Sequence, residues 1–78
     1  MKAYILINVR IGAISEVIRN LRKLPSVQSA EMTFGAYDVI AVVQVADLEA
    51  LAKLISKEIQ TIPDITRTIT CMAVEVST

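Results

Sequence analysis

The sequence predicts an α+β fold in which two strand–helix–strand units share one antiparallel sheet, and three observations lead to it. Apolar residues alternate with period two near both ends of the chain. They recur at helical spacing in two segments between. Each helical segment then stops at the same kind of aliphatic-proline turn, Leu24-Pro25-Ser26-Val27 in the first half and Ile62-Pro63-Asp64-Ile65 in the second.

Each element has its own justification. Over residues 2–11, Ala3, Ile5, Ile7, Val9 and Ile11 fall on one side of a strand, and Lys2, Tyr4, Leu6, Asn8 and Arg10 on the other. Gly12 ends that strand. Ile14, Val17, Ile18, Leu21 and Leu24 then form the apolar stripe of a helix, with Glu16, Arg19, Arg22 and Lys23 opposite; Pro25, which has no N–H to donate, stops it. Residues 27–33 read as a more polar strand and residues 38–45 as a strongly apolar one, with Gly35 between them as a hairpin signal.

Asp47 is placed to cap a second helix, whose expected buried stripe is Leu48, Leu51, Ala52, Ile55, Ile59 and Ile62. Glu49, Lys53 and Lys57 follow one another on its solvent side. After Pro63, residues 66–76 form a final strand rich in β-branched side chains. Two such halves joined by a hairpin give the ferredoxin-like βαββαβ plait, a four-stranded antiparallel sheet with two helices on one face. The whole chain, 1–78, reads as one such domain, without a DNA-binding domain.

The composition suggests that this domain is not a finished unit alone. Of its 78 residues 54% are apolar and only 21% charged, and a domain this small has too much surface to hide so many aliphatic side chains. Both sides of the strands are apolar: Tyr4 and Leu6 oppose Ile5 and Ile7, Ile40 and Val42 oppose Ala41 and Val43, and Met72 and Val74 oppose Ile69 and Cys71. Helices cover only one set, whereas an antiparallel sheet with a wet face reads polar on that face. The uncovered set, expected to include Tyr4, Leu6, Ile40 or Val42, and Met72 or Val74, therefore needs another protein surface, most simply a second copy.

Several function classes are disfavoured by the same reading. Eight basic residues balance eight acidic ones, so the chain has no concentrated basic patch of the kind that neutralises phosphates. Apolar runs fall far short of the roughly 20 residues that span a bilayer. The strand pattern begins at once after Met1, leaving no room for a targeting segment, and a single cysteine fits a reducing cytoplasm. With no histidine in the chain, the usual proton shuttle and the commonest metal ligand are missing. Cys71, alternating with threonines in a strand, reads as a small buried hydrophobe and not as a nucleophile. No catalytic residue, metal site or cofactor is implied.

Two segments could hold a ligand. In Thr33-Phe34-Gly35-Ala36-Tyr37-Asp38, Gly35 can expose bare backbone amides, Tyr37 offers a flat wall with a polar tip, and Asp38 sets a carboxylate at the mouth of an apolar strand. The plainer alternative is a turn in which Tyr37 packs and Asp38 caps backbone amides. In Thr66-Arg67-Thr68-Ile69-Thr70 the hydroxyls share one strand face, although strand propensity alone accounts for threonines there.

At these residues the chain resembles the ligand-binding and oligomerisation domain, the RAM domain, of the Lrp/AsnC regulators that respond to leucine and asparagine. The likeness runs through the strand end at Val9 and Gly12, the Leu24-Pro25-Ser26-Val27 turn, the Gly35-x-Tyr37-Asp38 hairpin, Asp47-Leu48-Glu49, and residues 65–70. Those regulators carry a helix-turn-helix ahead of this domain, so the chain resembles the stand-alone form. The resemblance implies homodimers joined through their sheets, a higher ring such as an octamer or decamer, and a small effector, usually an amino acid, in a cleft between dimers. Carried over by position, Gly35, Ala36, Tyr37 and Asp38 would line one side, and Ile65, Thr66, Thr68 and Thr70 the other. Asp64 stands where a glycine is common, and Phe34 where a small or hydroxylated residue is common.

The expected function is thus a non-enzymatic, cytoplasmic, amino-acid-binding oligomeric module of transcriptional regulation, partnered by itself and by Lrp/AsnC-type regulators, and touching neither nucleic acid nor membrane directly. Its alternatives are a ligand-free assembly partner of full-length regulators and a small ferredoxin-like enzyme.

Overall fold

In a computed structural model, which describes residues 1–77 and leaves Thr78 outside, the elements follow in the expected order. They are β1 (Lys2–Val9), α1 (Ile14–Arg22), β2 (Val27–Met32), β3 (Val39–Gln44), α2 (Leu48–Lys53), which continues as a π-helical segment (Leu54–Ile59), and β4 (Ile65–Met72). The strands form one antiparallel sheet in the order β2-β3-β1-β4, with both chain halves contributing a central and an edge strand. This is the ferredoxin-like plait. Val17 and Leu21 of α1 join Leu51, Leu54 and Ile59 in one buried cluster with Ile5, Ile7, Val39, Ala41 and Val43, which places both helices on the same sheet face.

The termini of the strands differ from expectation for want of partners. β1 stops at Val9 and not at Ile11 because Gly12, at φ +87°, turns the chain, with the Ala13 N–H donating back to the Arg10 carbonyl at 3.1 Å. β4 stops at Met72, short of residue 76. Its neighbour β1 begins at Lys2, whose carbonyl accepts the Ala73 N–H at 2.9 Å, and Met1 beyond it is engaged on its other side with Val45, at 2.7 and 2.8 Å.

The second helix starts as read. Asp47 is its N-cap, one carboxylate oxygen accepting the Ala50 N–H at 2.8 Å, and Lys53 reaches Glu49 at 3.8 Å on the solvent side. The buried stripe is a correction. Leu48, at the first helical position, is 58% exposed and Ala52 is exposed too, whereas Leu54 is buried. The π-helical segment accounts for one part of the change, the burial of Leu54. Its wider turn, seen in the Gln60 N–H bond to the Ile55 carbonyl at 2.9 Å, brings residues five apart onto one side, so Leu54 and Ile59 face the sheet together.

The register settles which strand residues face away from the helices. Leu6 lies opposite Ile40 and Ile69, and Tyr4 opposite Val42 and Cys71, so these six form the centre of the helix-free face. Tyr4 remains 38% exposed there, and Leu6, Ile40, Val42 and Ile69 are partly exposed. Met72 does not belong to this set: it pairs with the fully buried Ala3 and so shares the helix side. Cys71, read from sequence as buried, is exposed because its strand turns it to the uncovered face.

Candidate functional site

Three elements meet at one end of the sheet: the loop between β2 and β3, the C-terminal end of β1, and the N-terminal end of β4. The loop is closed at its base by the Thr33 N–H bond to the Asp38 carbonyl (2.9 Å) and by the Thr33 hydroxyl donating to the Tyr37 carbonyl (2.7 Å). Gly35 near its tip has open space where a Cβ would stand, leaving the backbone bare.

Asp38 ties the loop to β1. Its Oδ2 accepts the Val9 N–H at 2.8 Å and lies 3.5 Å from the Asn8 amide nitrogen, while its own N–H donates to the Ile7 carbonyl at 3.0 Å. Asn8 also donates to the Ala36 carbonyl at 3.2 Å. The carboxylate thus does cap a backbone amide, as the plainer reading held. Both of these contacts use Oδ2 and neither uses Oδ1.

On the other flank of β1 the turn before β4 is held by Asp64. Its φ of +73° is the left-handed conformation that glycine adopts most readily, and aspartate is among the few other residues to tolerate it. The Arg10 N–H donates to the Asp64 carbonyl at 2.9 Å, and the two side chains stand 3.7 Å apart. The aspartate therefore preserves a backbone shape suited to glycine and adds an ion pair. Beyond it, β1 and β4 slip register between Asn8 and Val9: Asn8 faces Arg67 and Val9 faces Ile65, which leaves Thr66 as the extra, exposed residue of a bulge.

The residues singled out by sequence are thus only partly brought together within one chain. Gly35, Ala36, Tyr37 and Asp38 sit beside the end of β1, and Ile65 and Thr66 beside the same end on its other edge. Thr68 and Thr70 run up β4 opposite Ile7 and Ile5, on the helix side, while Asp38 lies with Asn8 toward the helix-free side. The β4 residues line a shallow depression of about 210 Å³ formed by Gln60, Ile65, Thr66, Arg67 and Thr68, with the Gln60 amide 3.4 Å from the Thr68 hydroxyl.

Sequence reasoning passed over Asn8 and Gln60. A polar amide within an aliphatic strand was a signal for Asn8; Gln60 gave none, because only the π-helical turn aims it at β4. A larger open groove of about 580 Å³ lies away from these loops, between α1 and β2, lined by Ser15, Ile18, Arg19, Arg22, Glu31 and Met32. Its arginines are engaged, Arg22 donating twice to the Ala30 carbonyl and Arg19 pairing with Glu16.

Residues 2–77 match the family model of the Lrp/AsnC ligand binding domain. The chain belongs to this family. Its fold agrees with solved structures of similar proteins. FFRP-DM1 is 33% identical, with a TM-score of 0.90 over 94% of this chain and 97% of that one. The hypothetical protein PHS023 from Pyrococcus horikoshii is 32% identical, with a TM-score of 0.89 over 96% of this chain and 90% of its own. AsnC of E. coli is 25% identical at a TM-score of 0.91; 96% of this chain is covered, but only 51% of AsnC, so the chain spans about half of that regulator. No curated protein matches.

Membership makes this Lrp/AsnC domain a regulatory effector-binding module and not an enzyme. Among the described residues no helix is long and apolar enough to cross a membrane.

Proposed function

We propose that the domain binds an amino-acid effector in a cleft between dimers and conveys its occupancy to transcriptional regulation in the cytoplasm. Gly35, Ala36, Tyr37 and Asp38 supply one side, and Ile65, Thr66, Thr68 and Thr70 the other, with Gln60 beside them. The Asp38 carboxylate pairs with the α-ammonium, and loop amides with threonine hydroxyls hold the α-carboxylate. Dimers form through the helix-free sheet face and close into a ring such as an octamer or decamer.

One observation carries this reading. Asp38 lies toward the helix-free side with Asn8, and Thr68 and Thr70 lie opposite Ile7 and Ile5 on the helix side, which supports a site whose two halves come from different chains. That is the arrangement expected of a cleft between subunits.

The Val9 N–H bond to Asp38 favours a second reading, in which the loop merely shapes the end of the sheet. The domain would then be a ligand-free assembly partner of full-length Lrp/AsnC regulators. Thermal-shift measurements against the twenty amino acids, read beside the native mass, separate the two. A ligand at a hundred times its Kd adds about 2.7 kcal/mol of stability, so an effector is expected to raise the melting temperature of the oligomer by several degrees. An assembled protein that no amino acid stabilises would favour the second reading.

A further inference from the structure

The sheet has two outer edges, and they are finished differently. On β2 the register shifts between Val27 and Ser29, and the Arg22 guanidinium covers the Ala30 carbonyl. β4 has no such cover. The Ala73 N–H meets the Lys2 carbonyl at 2.9 Å, so by alternation Ile69, Cys71 and Ala73 direct their backbone groups toward β1. The N–H and C=O groups of Thr68, Thr70 and Met72 therefore face outward, and among the described residues no backbone pairs with them. Past Ala73 the described chain makes no backbone-to-backbone hydrogen bond, and Val74 and Val76 are 80% and 82% exposed.

Residues 65–77 carry only two charges, Arg67 and Glu75, both exposed and, among the described residues, in no ion pair. They stand four residues to either side of Cys71. When β4 is laid antiparallel against a second β4, with a two-fold axis at Cys71, Arg67 of each copy falls opposite Glu75 of the other. The open backbone groups match in the same register. Thr68 meets Val74 of the second copy, next in the outward-facing series, and Thr70 meets its Met72. A slip of two residues either way sets each charge opposite an uncharged side chain. A slip of one opposes outward groups to inward ones.

We infer that the β4 edges of two copies pair in this register and join one sheet-to-sheet dimer to the next. This rests on the reading above that dimers form through the helix-free face, and adds the contact between them. Met72, 50% exposed, and Val74 gain cover on the helix side from Thr70 and Thr68 of the second copy. Both contacts are two-fold, and their alternation closes a ring. A single two-strand ladder is weak alone. It holds where face-joined dimers present several at once.

The native mass of the whole chain, read by sedimentation and native mass spectrometry, tests it. The unaltered protein is expected to be larger than a dimer. R67E and E75R each set like charges opposite one another at both ends of the ladder, and each is expected to weaken the contact about tenfold, leaving dimers. The R67E/E75R double reversal is expected to restore the ring. M72P removes an outward N–H that no bond within the chain uses, at an edge position where proline is tolerated. It is expected to give dimers with unchanged far-ultraviolet circular dichroism; if it does not fold, the charge pair decides. A double reversal as dissociated as either single one, or a ring that M72P leaves intact, would overturn the inference and spare the face-to-face dimer. So would an unaltered protein no larger than a dimer. An unaltered protein that is monomeric would overturn both contacts together.

Discussion

L6D is expected to break the assembly while leaving the chain folded. Leu6 occupies the centre of the helix-free face, between Ile40 and Ile69, and is only partly covered in the single chain. A carboxylate there is tolerable in a monomer, where water reaches it. In a dimer joined through this face it is buried without a counter-charge, at about 3–5 kcal/mol for each uncompensated ion. A two-fold interface presents the substitution twice, so the dimer dissociation constant should rise by about four orders of magnitude or more. Sedimentation at micromolar concentration is expected to show the native protein as an oligomer and L6D as a monomer with unchanged far-ultraviolet circular dichroism. A native protein that sediments as a stable monomer would remove the interface from the account.

I5A, one residue earlier, is expected to do the opposite kind of damage. Ile5 points to the other side of the same strand, where it is fully buried among the helices. Truncating a buried isoleucine removes the transfer free energy of its methylenes and leaves a void, which together cost about 2–5 kcal/mol. Stability in a domain of this size lies toward the lower end of the usual range of about 5–15 kcal/mol. The loss should lower the urea midpoint steeply, and at physiological temperature it could exhaust the margin. The two adjacent substitutions thus separate folding from assembly. Equal effects of both on the melting midpoint would mean that the sheet has no free face.

The pattern of the sequence carried most of the fold and less of the site. Strand alternation located β1 and β3 because Ala3, Ile5 and Ile7, and Val39, Ala41 and Val43, turn inward without interruption. The two proline turns marked both helix ends. In β4 both faces are apolar, so alternation could not say whether Ile69 and Cys71 or Met72 and Val74 face outward; only the pairing with Leu6 and Tyr4 decides it. Where the strands stop depends on partners, which no local pattern contains. Leu54 was left out of the buried stripe and Gln60 was passed over for a different reason: a helix with 3.6 residues per turn was assumed, whereas the turn widens from Leu54 to Ile59.

At the site, the residue types in the Gly35-x-Tyr37-Asp38 hairpin were legible as unusual, but their partners were not. The bond from Val9 to Asp38 joins positions 29 apart in sequence, and Asn8 enters only because β1 runs between the two loops. The left-handed φ of Asp64 is similarly hidden, since aspartate at that position signals a polar turn before it signals a backbone shape.

The effector reading depends most on what the Asp38 charge does, and D38N isolates it. An asparagine keeps the size of the side chain and an amide oxygen able to accept the Val9 N–H, so the contact that holds the loop to β1 survives. What is lost is the negative charge available to an ammonium. The calorimetric affinity of the best amino-acid effector should therefore fall about ten- to a hundredfold in D38N, the worth of a charge-assisted bond of about 1.5–3 kcal/mol, while the urea midpoint stays close to that of the native protein. An affinity equal to the native one, in a protein that melts at a lower midpoint, would show that Asp38 serves the fold alone and would contradict the site proposed for it.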